Sequence, residues 1–352
     1  MTTKERMTRI CAHKEADRVP IIDIPWDGTL ARWRREGMPS DVDWQDYFGV
    51  DKWTRIEVDI SPRYGGKVLE ETDEYIIYIN PYGVTQRCFK ELDSTPEHLD
   101  YRVNTPEEWE KAKKAMAFDE NRIPWDDLKR QYPKWVAEGQ WLEAGFWFGF
   151  DVTHAHMVGT ETLLIALLEE PEWVTDMIDT YLSGCIRCFE RMWDEGYRFD
   201  AIHWYDDMGY KGTPFFSVDT YKELIKPFHK KAANWAHNRG IPAHLHSCGY
   251  IEPLIPDVID AGIDILNPLE VKAGMNPLKL KREYGDKLTL HGGINAMLLS
   301  DEKAAVAEIE RIVPALKENG GYIFATDHSI PNSVSLKTFK AIVNAAKRCG
   351  GY

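Results

Sequence analysis

A histidine and a cysteine lie two residues apart in the second half of the chain, in the stretch Ile241-Pro-Ala-His-Leu-His-Ser-Cys-Gly249. The pattern of residues 241–245, flanked by glycines, predicts a short buried strand. Side chains two apart in an extended chain point the same way, so we expect His246 and Cys248 to converge. An imidazole and a thiolate together suit a borderline-soft divalent metal, above all zinc. The pair alone is also compatible with two plain core residues.

Polar residues of the kinds used in catalysis follow other predicted strands as well. They are Glu143, Tyr205, Asp206, Asp207, Asn267, Glu270, His291, Asp327 and His328. Each one alone is typical of a structural role, such as a helix cap at Asp207 or a core histidine at His291. Their recurrence at successive strand ends favours an active site.

A catalytic zinc ion takes three protein ligands and keeps a fourth position open. His246 and Cys248 supply two of them, and the third must come from the end of another strand. We expect His328 in that place, with Asp327 or Glu270 as the alternatives.

The remaining polar residues are candidates for catalysis or substrate binding. For catalysis we single out Tyr205, Asp206, Asp207 and Glu270. For substrate binding we single out Glu143, Trp147, Trp204, Asn267 and His291. The two adjacent aspartates could hold a polar group of the substrate, orient a ligand imidazole or act in acid–base chemistry.

Regular alternation of strands and helices in the second half of the chain would position these residues. Strands are predicted at 199–205, 241–246, 263–266, 288–291 and 322–326, and helices at 160–170, 171–196, 218–238, 251–261, 277–284, 301–318 and 335–347. Short apolar strands separated by amphipathic helices indicate a parallel sheet with crossover helices. Weaker units precede them, with strands predicted at 18–24 and within 135–144. The α/β pattern therefore favours a single (β/α)8 TIM barrel over residues 1–352 rather than an open doubly wound sheet.

The N-terminal third adds helices and a β-hairpin to this barrel. Helices are predicted at 5–17 and 29–36, and another begins at Thr105 with a favourable cap. Residues 68–90 contain two apolar runs around a Pro81-Tyr-Gly83 turn, which predicts the hairpin.

Composition excludes several classes of function. The 352-residue chain has a formal net charge of −14, which argues against nucleic acid or an anionic membrane as the main partner. No apolar run approaches the ~18 residues of a membrane span, and the charged N-terminus has no signal-peptide core. Six cysteines without framework spacing fit a reducing compartment, so we expect a cytoplasmic protein. The sequence is compatible with a homodimer but does not fix the oligomeric state.

Five motifs resemble the uroporphyrinogen decarboxylase superfamily, and the resemblance runs over nearly the whole chain. They are Glu15-Ala-Asp-Arg-Val-Pro20, Trp204-Tyr-Asp-Asp-Met208, His246-Ser-Cys-Gly249, Leu290-His-Gly-Gly-Ile294 and Gly321-Tyr-Ile-Phe324. The decarboxylases proper bind substrate carboxylates with arginines of an N-terminal segment, whereas residues 19–26 contain none. Their late Gly-Asn-Leu-Asp piece is Gly292-Gly-Ile-Asn295 here. The chain is more similar to the zinc-dependent methyltransferases that serve corrinoid proteins, of the coenzyme M or O-demethylase type.

This resemblance implies methyl transfer between a small substrate and the cobalt of a corrinoid. Zinc would either lower the pKa of a thiol or polarise an ether oxygen. Relatives of this type add a cysteine after the last strand to the HxC pair, and the matching position here holds His328. That departure could mark a different methylated substrate. The chain lacks an Asp-x-His-x-x-Gly corrinoid signature, so the corrinoid (cobalamin) is expected on a partner protein.

Three questions stay open at this level. The aromatic residues Trp26, Trp147, Phe148, Trp204 and Tyr205 could line a pocket for an aryl methyl ether or belong to the core. A metal-free decarboxylase of a polycarboxylate is the alternative enzyme. A catalytically silent barrel that binds a partner is the alternative from another class.

Overall fold

Two sheets organise the part of the chain that the computed structural model describes, residues 1–90 and 94–352. Their strands are β1 (Trp53–Glu57), β2 (Lys67–Glu71), β3 (Tyr75–Ile79), β4 (Thr85–Phe89), β5 (Glu97–Asp100), β6 (Trp141–Trp147), β7 (Ala201–Tyr205), β8 (Ala243–His246), β9 (Ile265–Asn267), β10 (Thr289–His291) and β11 (Tyr322–Ile323). One sheet is parallel, in the order β1-β6-β7-β8-β9-β10-β11. The other is antiparallel and contains β2 to β5 in chain order.

Helices connect the parallel strands and cover the outside of that sheet. They are α1 (Thr3–Cys11), α2 (Asp27–Arg35), α3 (Trp44–Phe48), α4 (Pro106–Ala115), α5 (Trp125–Ala137), α6 (Phe150–Thr153), α7 (Thr160–Glu169), α8 (Pro171–Asp194), α9 (Val218–Thr220), α10 (Lys226–His237), α11 (Ile255–Asp260), α12 (Pro277–Tyr284), α13 (Glu302–Leu316) and α14 (Leu336–Gly350). Within the described ranges, none is both long and apolar enough to cross a bilayer.

Residues 20–22 lie between β11 and β1 and close the parallel sheet. Ile22 N donates to the carbonyl of Phe324 (3.0 Å), and Phe324 N donates to the carbonyl of Pro20 (2.8 Å). On the other side, Asp51 N donates to the carbonyl of Ile21 (3.1 Å). This segment takes the eighth position of the ring, which confirms the predicted (β/α)8 barrel.

Some predicted boundaries in the first half of the chain are wrong. The predicted strand at 18–24 consists only of isolated bridges, because Pro20 and Pro25 have no N–H to donate. The strand predicted within 135–144 is present as β6, which begins at Trp141, after Gly139 turns the chain in the left-handed region (φ 64°), and which continues to Trp147. The strand β1 escapes prediction because its inward-facing residues include the charged Arg55.

The predicted hairpin at 68–90 is present as β3 and β4, which pair from Tyr75↔Phe89 to Ile79↔Thr85. It is part of a larger sheet, because β2 pairs with β3 and β5 pairs with β4. All five residues of β2 are exposed, so that strand has no apolar alternation for sequence analysis to detect.

Aromatic side chains fill the layer between the parallel sheet and its helices. Trp204 on β7 is fully buried, with its ring centroid 5.9 Å from that of Phe146 and 5.4 Å from that of Phe148. Because side chains alternate along a strand, the next residue, Tyr205, points to the inside of the barrel. The interior of the barrel is therefore separate from this aromatic layer.

Asp51 anchors the closing segment and is fully buried. Its carboxylate accepts hydrogen bonds from Arg6, from Arg18 Nη1 (2.6 Å) and from the backbone N–H of Ile21 (2.8 Å). A single carboxylate thus joins α1, the closing segment and the start of β1.

Replacing Asp51 with asparagine should lower the free energy of unfolding by about 3 kcal/mol, because the change leaves buried arginine charge without its partner. Urea unfolding followed by circular dichroism measures this loss. As a matched control, Asp46→Asn removes only an exposed ion pair with Lys52 and should cost less than about 1 kcal/mol. Equal losses in the two variants would contradict the anchoring role of Asp51.

Candidate active site

Three neighbouring strands end at the same level on one rim of the barrel. In the parallel register, Tyr205 of β7 pairs with His246 of β8, which pairs with Asn267 of β9. Asp206 N donates to the carbonyl of His246 (2.8 Å), and Ser247 N donates to that of Asn267 (2.8 Å), so the register continues beyond the strands. The side chains that follow these strands are therefore brought together by backbone pairing alone.

His246, Cys248 and Asp207 form a compact group of ligand atoms at this rim. His246 Nε2 lies 3.3 Å from Cys248 Sγ and 3.7 Å from Asp207 Oδ1, and the three ligand atoms lie within 4.8 Å of one another. Cys248 N also donates to Asp207 Oδ1 (2.7 Å), which fixes the carboxylate beside the thiol. All three residues are partly exposed, so an ion held there would be accessible from the rim.

Asn267 sets the tautomer of His246. Its Nδ2 donates to the carbonyl of His291 (3.1 Å), which leaves its Oδ1 to face His246 Nδ1 at 2.5 Å. An amide oxygen only accepts, so Nδ1 carries the proton and Nε2 presents its lone pair towards Cys248 and Asp207. Burial lowers the pKa of His246 to about 3, which keeps the imidazole neutral.

Negative groups accumulate around the thiol. Burial and the carboxylates of Asp207 and Glu270 raise the pKa of Cys248 well above its ordinary value. Burial and Asp151 likewise raise the pKa of Asp207 far above that of a free carboxyl. A divalent cation would relieve this repulsion and favour the thiolate and carboxylate forms.

The loop that carries Cys248 is held by its own backbone. The consecutive N–H groups of residues 247–250 donate in turn to Asn267 O (2.8 Å), Asp207 Oδ1 (2.7 Å), Glu270 Oε2 (2.6 Å) and Tyr210 O (2.9 Å). Gly249 has a φ of 81°, and a methyl group on its Cα would lie 2.1 Å from the carbonyl carbon of Gly209. Two glycines thus allow the loops after β7 and β8 to touch directly.

A cavity opens beside this group on the inside of the barrel and holds about 420 Å³ of empty space, including its open mouth. Five of the predicted site residues line it, namely Tyr205, His246, Asn267, His291 and His328. The other lining residues include Ile22, Asp23, Trp53, Arg55, His203 and Thr326.

His328, the predicted third ligand, lies on the cavity wall but outside the ligand group. Its ring centroid is 6.0 Å from that of Trp26, and its Nδ1 is 3.5 Å from the carbonyl of Ser329. Among the residues that the structure describes, the potential ligand groups contain Asp207 in its place. The assignment of His328 stays a prediction, and the arrangement favours Asp207.

The two alternatives for the third ligand have other contacts. Asp327 is fully buried and accepts from the N–H groups of Ala296 (2.7 Å) and Val271 (2.8 Å), so it fixes two loops. Glu270 holds the N–H of Gly249 and lies 3.3 Å from Lys272 Nζ. Both carboxylates support the loops around the rim.

Asp206 and Asp207 point in different directions, as neighbours at a strand end do. Asp206 is fully buried outside the cavity, with its carboxylate 2.9 Å from His229 Nε2 and 2.8 Å from the N–H of Asp151. These contacts give Asp206 a structural role. Of the two aspartates, Asp207 is the one that lies beside His246 and Cys248.

The predicted substrate-binding residues divide in the same way. Asn267 and His291 line the cavity. Trp204 belongs to the aromatic layer outside the sheet, and Trp147 lies at the rim, stacked on His156 (ring centroids 4.9 Å apart). Glu143 does not follow a strand, because β6 continues to Trp147 and leaves Glu143 buried inside the barrel.

Glu143 belongs to a second group, with His203 and His244, that could hold a metal ion. One ligand atom from each lies within 4.8 Å of the others, and all three residues are buried. His244 Nδ1 is 3.0 Å from Glu143 Oε1, while His203 Nδ1 is 3.6 Å from Glu143 Oε2. Neither nitrogen of His203 has a hydrogen-bond partner among the described residues.

Burial and neighbouring charges shift the pKa values of Glu143 and His203 in this second group. Burial acts to raise the pKa of Glu143, but His244 and Arg55 outweigh it and lower that pKa. Burial lowers the pKa of His203 far below its usual range, so this imidazole is neutral. The sequence pattern could have placed both histidines in the barrel interior. Each lies two residues before the last residue of its strand, and side chains two apart on a strand point to the same face.

Comparison with known proteins adds a family and a fold. The family model described as uroporphyrinogen decarboxylase (URO-D) matches residues 144–349. A methyltransferase from Methanosarcina mazei has a similar structure over 99% of both chains, with a TM-score of 0.65 and 18% sequence identity. An endo-β-1,4-xylanase from Gloeophyllum trabeum is similar over 65% of this chain and 82% of that chain, with a TM-score of 0.41 and 13% identity. No curated protein matches the sequence.

Replacing Asp206 with alanine should lower the free energy of unfolding by about 1–3 kcal/mol, because it leaves the buried His229 without its hydrogen-bond partner. The same change at Asp207 should cost far less, since that side chain is about one third exposed. Urea unfolding of the two variants compares them directly. A larger loss for Asp207→Ala would show that the structural role belongs to Asp207.

Proposed function

The chain belongs to the uroporphyrinogen decarboxylase (URO-D) family, and we propose that it is a zinc-dependent methyltransferase. It would move a methyl group between a small methylated substrate and the corrinoid of a partner protein. The observation that carries the proposal is the group of Asp207, His246 and Cys248 beside the cavity. The whole-chain fold likeness to a methyltransferase supports it.

The donor set fits zinc. Sulfur, imidazole nitrogen and carboxylate oxygen are all ordinary zinc ligands, and three protein ligands leave an open position for a substrate atom. The 3.3 Å between His246 Nε2 and Cys248 Sγ is compatible with two ligands of one ion. Asn267 supports the fit as well, because a hydrogen bond to the outer nitrogen is how ligand histidines are usually oriented.

Asp207, His246 and Cys248, the rim group, are a better candidate for catalysis than the buried group of Glu143, His203 and His244. A catalytic ion must reach its substrate, and the residues of the rim group are partly exposed whereas the others are buried. Arg55 also acts on the buried group, where its positive charge opposes a second cation.

Bound zinc would supply Lewis acidity to an ether oxygen or to a thiol of the substrate. The chain itself would provide the frame. Asn267 keeps the ligand nitrogen of His246 unprotonated, and Glu270 holds the loop of Cys248 through Gly249. Tyr205 and Trp53 would enclose the substrate in the cavity.

Asp23 would hold the proton that a leaving oxygen or sulfur requires. It lines the cavity, and its carboxylate accepts from Thr326 N (3.0 Å) and Thr326 Oγ1 (2.8 Å). Burial raises the pKa of Asp23 to about 6, so a substantial fraction is protonated just below neutral pH. His291 is unsuited to this task, because its Nε2 donates to the carbonyl of Ile22 (3.0 Å) and its Nδ1 faces His244.

Cys248→Ala should remove most of the zinc from the purified protein, as measured by elemental analysis after dialysis. The control variant Cys88→Ala changes another half-buried cysteine that is distant in sequence from Cys248, and it should retain the zinc. For the third ligand, Asp207→Asn should lose more zinc than His328→Ala. The reverse order would restore His328 as the ligand, and full zinc in Cys248→Ala would refute the site.

Methyl transfer should be detectable with a cobalt(I) corrinoid protein and a series of methyl ethers and methyl thioethers, followed by the absorbance of the corrinoid. Cys248→Ala should reduce the rate at least about 100-fold, because an electrostatic contribution of about 3 kcal/mol is lost. Undiminished turnover by fully zinc-depleted protein would refute the proposal. Release of CO2 from a polycarboxylate without metal would establish the decarboxylase alternative.

A further inference from the structure

Thr326 is a buried residue of the cavity wall that follows β11, and it is 3% exposed. Its backbone N–H donates to Asp23 Oδ2 (3.0 Å), and its hydroxyl oxygen lies 2.8 Å from Asp23 Oδ1. Thr326 therefore contacts both oxygens of the carboxyl group that would supply a proton to the leaving atom of the substrate.

The hydroxyl of Thr326 faces two acceptors at once. One is Asp23 Oδ1, and the other is the backbone carbonyl of His328, which is also within hydrogen-bond distance. A hydroxyl has one hydrogen to donate and lone pairs with which to accept, whereas a carbonyl oxygen only accepts. When the hydrogen points to the carbonyl of His328, Thr326 Oγ1 is left as an acceptor for a protonated Asp23.

Each protonation state of Asp23 thus has its own set of hydrogen bonds. The carboxylate accepts from Ile24 N (2.9 Å), from Thr326 N and from Thr326 Oγ1. In the acid form, the carboxyl O–H donates to Thr326 Oγ1, and the hydroxyl hydrogen turns to the carbonyl of His328. Rotation of one hydroxyl interconverts the two sets, so neither state leaves this hydroxyl without an acceptor.

The heavy atoms around this hydroxyl are held in place. Ile330 N donates to the carbonyl of Ile24 (2.9 Å), and Trp26 N donates to the carbonyl of Ile330 (3.2 Å). These bonds join the segment of Asp23 to that of Thr326, and the branched Cβ of a threonine restricts its rotamers. The hydroxyl hydrogen can therefore turn while the backbone stays where it is.

The surroundings of Asp23 bring its two states close in free energy near neutral pH. Burial and the charge of Asp327 raise the pKa of Asp23 to about 6, against the effect of its three hydrogen-bond donors. Burial lowers the pKa of His291 to about 3 and raises that of Tyr322 well above its ordinary value, so both are neutral. From the elements packed against the segment of Asp23, the titratable or charged groups that face it are Asp327, Tyr322, His291, His328 and Arg55.

We infer that Thr326 is a positioning residue for proton transfer, whose hydroxyl turns from the carbonyl of His328 to Asp23 Oδ1 as Asp23 gives up its proton. When the bond between the methyl group and the substrate oxygen or sulfur breaks, its electron pair stays on that atom, and the methyl group leaves for the cobalt(I) of the corrinoid. The O–H bond of Asp23 breaks, the proton joins that electron pair, and the Thr326 hydroxyl turns to the new carboxylate. The inference rests on the proposed function for the identity of the proton acceptor, whereas the hydroxyl switch belongs to the free protein.

Infrared spectroscopy tests the switch without turnover, metal or corrinoid. The carbonyl stretch of protonated Asp23 is isolated, over a series of pH values, as the difference between each protein and the same protein carrying Asp23→Asn. In the wild type this band should disappear as the pH rises through about 6.

Thr326→Val removes the hydroxyl and keeps a branched side chain of similar size. A hydrogen bond to a carboxylate is stronger than one made by the neutral acid, so the loss of both should increase the proton affinity of Asp23 about tenfold. Thr326→Ser keeps the hydroxyl and should restore the wild-type titration. If Thr326→Val does not fold, Thr326→Ala removes the same hydroxyl and should give the same increase.

The corrinoid assay supplies a second measurement. The pH at which Thr326→Val loses activity should move upwards together with the infrared midpoint, and its rate below that pH should fall about tenfold, because a weaker acid donates its proton more slowly. Thr326→Ser should restore both. A threonine with a structural role alone would change the stability but leave the pH profile in place.

Thr29→Val is the matched control. Thr29 is also fully buried, and its hydroxyl donates to the carbonyl of Ile330 (2.8 Å), in the segment that follows Thr326. This variant removes a buried hydroxyl that does not contact Asp23, so it should lower the free energy of unfolding and leave the titration of Asp23 unchanged.

An unchanged or lowered pKa of Asp23 in the valine and alanine variants would overturn the inference. So would an equal shift in Thr29→Val, or a wild-type Asp23 that titrates like a free carboxyl at about 4. Absence of zinc or of methyl transfer would refute the proposed function, but the infrared titrations would still decide the switch.

Discussion

Closure of the parallel sheet by residues 20–22 is the constraint on which the interior of this protein depends. Three backbone hydrogen bonds and the carboxylate of Asp51 hold the segment between β11 and β1. Pro20 and Pro25 have no N–H to donate, so pairing along this part of the chain is limited to isolated bridges. Without this segment, His291 would lose the carbonyl of Ile22 that holds its ring, and the cavity would lose one wall.

Inside the closed ring, the parallel register decides which side chains meet. Residues at the same level of neighbouring strands form two layers, one at the rim with His246 and one below it with His203 and His244. The upper layer is partly exposed and rich in sulfur and oxygen, whereas the lower layer is buried and dominated by imidazoles. Polar residues in a barrel interior would be costly without a function, because each must find a partner away from water.

The sequence predicts the barrel, the hairpin and the convergence of His246 with Cys248, because these follow from local periodicity. It does not predict Asp207 as their neighbour, since that contact depends on the register between two strands. Glu143 is predicted to follow the end of a strand, but it lies within β6. The length of β6 is set by pairing with neighbouring strands, which the local sequence does not show. Arg55 is missed because a charged residue inside a barrel breaks the apolar alternation by which strands are recognised.

The backbone N–H groups of the loop after β8 are already engaged in hydrogen bonds. Its four consecutive amides, from Ser247 to Tyr250, are bonded to neighbouring loops, and the contact between Gly209 and Gly249 leaves no slack. Such a loop is a poor oxyanion hole, because no free amide remains to turn towards a developing charge. Negative charge that appears on a substrate atom beside this loop must be balanced by groups other than the amides of the loop. The loop after β8 is therefore ill suited to reactions that would rely on its backbone amides for this purpose, such as acyl transfer.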